Sequence, residues 1–111
     1  MLAYETNDLA VQQAQSKRAY HEFMRVPSIS MGLYHLPAGT VDPQHPHSED
    51  EVYYVVSGKA QIQVKEETRP VQAGSIVFVA AYEEHHFFNI TEDLSVIVFF
   101  TPAEYTNQSS D

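Results

Sequence analysis

The stretch 39-GTVDPQHPHSEDEVYYVVSG-58 decides the fold. His45 and His47 stand two apart, so on extended backbone they point to one face. Pro46 between them marks an edge or a kinked strand, because proline cannot donate to a ladder. Glu51 keeps the same parity after a turn built from Ser48, Glu49 and Asp50. Two imidazoles and one carboxylate suit a first-row divalent metal and leave coordination positions open. A second stretch, 74-GSIVFVAAYEEHHFFN-89, offers His85 as a fourth ligand. Four protein ligands on an octahedral ion leave two positions for substrate, water or dioxygen. Taken singly these residues say little: a strand histidine is usually hydrogen-bonded or solvated, and Glu51 alone reads as one more charge in an acidic run. The joint pattern, bracketed by Gly39 and Gly58, is what carries weight.

Working outward, the chain from residue 28 onward reads as short strands and turns, an all-β pattern. Strands are predicted near 29–36, 44–48, 51–57, 59–66, 75–79, 85–90 and 94–101. Turns are predicted at Pro37–Gly39, Ser57–Gly58, Ala73–Gly74 and Thr91–Asp93. Many short strands at near-regular spacing indicate a sandwich or barrel. Ala60, Ile62 and Val64 alternate with Gln61 and Gln63, a half-buried strand. The runs 52–56, 76–79 and 96–100 are apolar on both faces and need cover on both sides. One barrel has one interior, so the outer faces call for the N-terminal arm or a second subunit, and a homodimer is expected. Residues 1–28 read as a helical or irregular arm, with Asp8 as a helix cap, packing on the barrel or a partner. Residues 29–105 form the barrel, and 106–111 read as a disordered tail.

The 111 residues suit one domain with its own core. The chain has no cysteine, which excludes disulfides and thiolate metal sites and fits a reducing compartment. Its first residues lack a basic start and an apolar run, and no stretch has the length of a membrane span. The expected location is the cytoplasm. Fifteen acidic residues against six basic ones give a net charge of −9, which opposes nucleic-acid binding and disfavours polyanionic substrates. Motifs for nucleophilic catalysis, phosphate loops and dinucleotide binding are missing from the sequence.

The two stretches resemble the motifs of the cupin family. The first cupin motif, G-x5-H-x-H-x3,4-E-x6-G, is matched by Gly39, His45, His47, Glu51 and Gly58. The second, G-x5-P-x-G-x2-H-x3-N, is matched by Gly74, His85 and Asn89. A link of 59–73 joins them, as in small single-domain cupins. The resemblance covers 39–89 directly and about 29–101 by strand pattern. It implies a cupin-type jelly-roll β-barrel with His45, His47, Glu51 and His85 around one divalent transition metal per chain (iron, manganese, zinc or nickel). Two positions depart from the motif, Ala80 for proline and Tyr82 for glycine. Tyrosine disfavours positive φ, so this turn is expected to differ locally. His86 has the opposite strand parity and is expected to point away.

The function this implies is a metal-dependent enzyme, an oxidoreductase of dioxygenase type, acting on a small neutral or aromatic molecule. Glu51 would be a ligand or a base. Tyr53, which shares its parity, would orient a ligand or substrate. Two alternatives stand beside it: an isomerase or lyase with a redox-silent metal, and a small-ligand binding or sensing module without turnover.

Overall fold

The computed structural model describes residues 1–107. A helix, α1 (Thr6–Ser16), precedes six strands: β1 (Tyr20–Val26), β2 (Ile29–Leu36), β3 (Asp50–Val64), β4 (Glu67–Gln72), β5 (Ile76–Val79) and β6 (His85–Thr101). All pairings are antiparallel, in the order β1-β2-β6-β3-β4, with β5 on β3. The β3–β4 and β1–β2 pairs are hairpins, whereas β3 and β6 meet along nearly their whole length.

The long β3–β6 pair explains how one sheet encloses a core. Its first half joins 50–55 to 96–101, and its second half joins 61–64 to 85–88. Register shifts separate the halves around Ser57, Lys59 and Gln61. At this point Gly58 has φ +100°, and a Cβ there would collide with the backbone of Asp93 and Leu94. Only glycine meets both demands. On β6, Asn89 takes φ 49°, a left-handed conformation that asparagine tolerates better than most residues. Each irregularity flips which residues face inward. On β3 the buried positions change from Glu51, Tyr53 and Val55 to Ala60 and Ile62. On β6 they change from His85 and Phe87 to Ile90, Leu94, Val96, Val98 and Phe100. Gly58 and 91–93, expected as turns, are therefore bulges in strands that continue, and such bulges bend a strand.

Both halves share one core. Tyr53 from the first half packs edge-on against Phe87 from the second, ring centroids 5.0 Å apart. Full burial of side chains this large stabilises by roughly 2 kcal/mol each. The outer face of β1 and β2 is covered by α1, whose Leu9 is buried, and a groove beside them is lined by Tyr4, Phe23, Met31 and Ile97. The arm thus supplies part of the outer cover that the two-faced strands require. Asp8 lies in the first turn of α1 and makes no side-chain cap, so that expectation was wrong; the cap position is Glu5.

Two strands escaped the sequence reading. In β1, Tyr20–Val26 pairs with β2. In β4, Pro70 sits on an edge strand bonded only to β3, where its missing N–H costs nothing. Conversely, 44–48 forms no strand. Pro43 and Pro46 remove two donors, and the segment is a loop. Of the expected tail, 108–111 lie outside the described residues. Thr106 and Asn107 belong to a turn whose Asn107 N–H donates to Glu49 Oε2 at 2.8 Å.

Candidate metal centre

The structure brings three of the four candidate ligands together. His47, Glu51 and His85 each offer an atom, and these atoms all lie within 4.8 Å of one another. Glu51 sits on β3 between β5 and β6, paired on both sides. His85 starts β6 opposite Val64. His47 belongs to the loop, and its carbonyl accepts from Tyr82 N–H at 2.7 Å. His45 lies outside this group. It is exposed and lines the same cavity as His47.

The Tyr82 turn did not diverge as expected. Tyr82 takes φ 66°, the left-handed conformation that a glycine would adopt. Its bond to His47, together with Ala81 N–H to Asp50 Oδ1 at 2.9 Å, holds the turn against that strain. His85 is therefore delivered inward, 5% exposed, while His86 packs near Phe88 on the other face.

Glu51 and His85 are fully buried, with Nε2 of His85 2.5 Å from Oε1 of Glu51. This close pair leaves Oε2 of Glu51 buried without a partner. Buried polar atoms without partners are costly. An unpartnered carboxylate oxygen beside two imidazoles is what a cation site would use, and the donor set fits iron, manganese, zinc or nickel.

The surroundings orient these groups. His85 Nδ1 faces the Glu83 carbonyl at 2.8 Å, which leaves Nε2 for the site. Burial alone would lower the His85 pKa, but the Glu51 carboxylate and the Glu83 carbonyl outweigh it and raise it. Burial dominates at His47 and lowers it, which favours the neutral imidazole that a metal needs. Tyr53 is wholly buried, and its hydroxyl contacts Gln44 Oε1 at 2.6 Å and Glu51 Oε1 at 3.0 Å. It thus braces Glu51 from behind and does not line the cavity. Its own pKa is raised well above the usual phenol value, by burial first and then by Glu51.

Several residues here were not singled out by sequence. Asp42 is buried and accepts from Tyr34 Oη at 2.6 Å, Gln44 Nε2 at 2.6 Å and Phe87 N–H at 2.8 Å. Glu104, from the segment after β6, is buried in the cavity wall, with Oε2 3.4 Å from His47 Nδ1. Burial, then the Glu22 and Glu51 carboxylates, push it up to about 7. The cavity has a volume of about 420 Å³, and its apolar walls come from Tyr20, Tyr34, Val98 and Phe100. Tyr20 lies across Gly32, where any Cβ would overlap the ring, and its buried hydroxyl has no partner.

Comparison with known proteins agrees with this geometry. Residues 32–101 match the cupin domain family. The chain belongs to the cupin family. An uncharacterised protein of Streptomyces coelicolor is 48% identical to this cupin over 104 residues, which cover 94% of this chain and 99% of that one. The structure of TT1209 from Thermus thermophilus is similar with a TM-score of 0.76 and 23% identity, over 93% of this chain and 99% of that one. The DMSP lyase DddQ from Ruegeria pomeroyi is similar with a TM-score of 0.68 and 18% identity, over 79% of this chain and 49% of the lyase. At such identities the structural likeness shows the shared jelly-roll fold. Among the described residues no helix is long and apolar enough to cross a membrane.

Proposed function

We propose that this cupin holds one divalent transition metal per chain and is a metal-dependent oxidoreductase of dioxygenase type. The observation that carries the reading is the convergence of His47, Glu51 and His85, with a buried Glu51 oxygen left unpartnered, behind an apolar cavity. Bound there, a divalent metal supplies Lewis acidity and, if iron or manganese, redox chemistry with dioxygen. The chain supplies the rest. His47, Glu51 and His85 hold the ion, and His45 joins them as a fourth ligand if its loop closes. Glu51, braced by Tyr53, takes up a substrate proton when not fully engaged with the ion. The walls of Tyr20, Tyr34, Val98 and Phe100 exclude water and favour a small neutral or aromatic molecule. Among the described residues no lysine or arginine lines the cavity, so an anionic substrate would meet acidic groups without a counter-ion.

Reconstituting the protein with iron or manganese and measuring dioxygen uptake over a panel of small aromatic compounds tests this. Uptake that disappears in His47→Ala supports it. Turnover that persists in metal-stripped protein contradicts it. Catalysis with zinc and without dioxygen would move the reading to an isomerase or lyase, and ligand binding without any turnover to a sensing module.

We also infer a homodimer in the cytoplasm. Ile76, Phe78 and Tyr54 are exposed together on β5 and β3, outside the area that α1 covers. A second copy burying this patch is the simplest cover. A clean monomer by light scattering at micromolar concentration would sink the dimer.

A further inference from the structure

Glu104 stands in a segment whose sequence, Thr101-Pro-Ala-Glu-Tyr105, shows no strand or helix period. The structure nonetheless pins it on every side. Its N–H donates to Ser30 Oγ at 2.9 Å, and Ser30 is wholly buried. Its carbonyl accepts from Arg25 Nη2 at 2.6 Å. The next residue, Tyr105, donates its N–H to Glu49 Oε1 at 2.7 Å, and Asn107 does the same to Oε2. Glu49 is itself buried, so a carboxylate out of water is committed to holding this turn. None of these bonds uses the Glu104 side chain. The carboxyl group is buried at the cavity, and among the described residues its one ion-pair partner is His47. The Tyr105 side chain is the other group that acts on this carboxyl, and a buried carboxylate needs such partners.

The two imidazoles of the site are arranged alike. His85 turns Nδ1 to the Glu83 carbonyl and Nε2 to Glu51. His47 turns Nδ1 to Glu104 and so has Nε2 left for the ion. We propose that Glu104 is a positioning residue: its carboxylate accepts from Nδ1–H of His47, fixes that tautomer and aims Nε2 at the metal. The 3.4 Å separation is about 0.4 Å longer than a formed N–H···O bond. Outer partners of this kind set ring orientation and ligand basicity. The link between Glu104 and His47 is independent of the ion; its effect on metal affinity rests on the metal reading above.

The test has two readouts. The first is the protonated ring nitrogen of His47 in metal-free, 15N-histidine-labelled protein, read by long-range 1H–15N correlation at about pH 8.5, above the ordinary carboxylate and imidazole ranges. Wild type is expected to carry the proton on Nδ1, and Glu104→Ala to shift it to Nε2. The second is zinc or manganese affinity by competition with a chelator. Glu104→Ala should weaken it about 10- to 100-fold. Glu104→Gln keeps an acceptor oxygen without the charge, so it should fall between, and it carries the test if the alanine variant does not fold. An unchanged His47 tautomer in the variants overturns the proposal, as does unchanged affinity once the tautomer has moved. If wild type binds neither metal, the metal reading fails, while the tautomer still decides whether Glu104 sets His47.

Discussion

The loop 37–49 and the strands β3 and β6 serve one site but hold their residues by different means. Glu51 is locked by ladder bonds to β5 and β6 on either side. His85 is fixed by register against Val64 and by the turn before it. The loop has no ladder. It is held by Gly39 N–H on the Ile90 carbonyl, by the buried Asp42 carboxylate and by the Tyr82 bond to the His47 carbonyl. His47, which is tied to the opposite turn, reaches the ligand group; His45, which is not, stays exposed at the cavity wall. The comparison shows that motif spacing sets which residues can approach the ion, while backbone anchoring sets which ones arrive preorganised.

Breaking the strand side should do the most damage. Gly58→Val places a Cβ against the Asp93 and Leu94 backbone at a φ that valine avoids. It should cost more than about 4 kcal/mol, or prevent folding, as measured by urea denaturation or soluble yield. A stable Gly58→Val would mean that the kink is not what lets the sheet enclose its core. Next in size is the contrast between ligands. His85→Ala should weaken zinc or manganese binding more than about 100-fold, His45→Ala less than about tenfold, by chelator competition. Equal losses would show that the loop closes and makes His45 a full ligand.

The loop's own anchor comes third. Asp42→Ala strands the Tyr34 hydroxyl and the Phe87 N–H, and should cost about 2–3 kcal/mol in chemical denaturation while leaving β3 and β6 protected in hydrogen exchange. Protection lost equally across the sheet would deny the division between loop and strands. The smallest effect is expected at Tyr82→Gly. The side chain is 68% exposed, so little packing is lost, and release of the left-handed strain should stabilise by up to about 1 kcal/mol. Destabilisation beyond about 1 kcal/mol would mean that Tyr82 makes a contact that matters.

Much of this molecule was readable before its coordinates. The parity of His47 and Glu51, the spacing to His85 and the apolar runs of β3, β5 and β6 all reflect period-two geometry acting over a few residues. What stayed hidden depends on distant parts of the chain. The irregularities at Gly58 and from Asn89 to Asp93 flip the inward face only because β3 and β6 pair through them, so Gly58 and 91–93 looked like turns. Tyr82 keeps a conformation against its own preference because the His47 carbonyl and Asp50 hold the turn. Strand β1 alternates too weakly to announce itself and exists because β2 offers it an edge. Glu104 carries no local pattern at all; Ser30, Arg25 and Glu49, all remote in sequence, place it.

The central claim is that His47, Glu51 and His85 form a metal site, and metal content tests it most directly. Natively purified protein should carry about one iron, manganese, zinc or nickel ion per chain by plasma mass spectrometry, lost in His85→Ala while the fold persists by circular dichroism. Protein that holds none of these metals, and gains no thermal stability when each is supplied, would contradict the account.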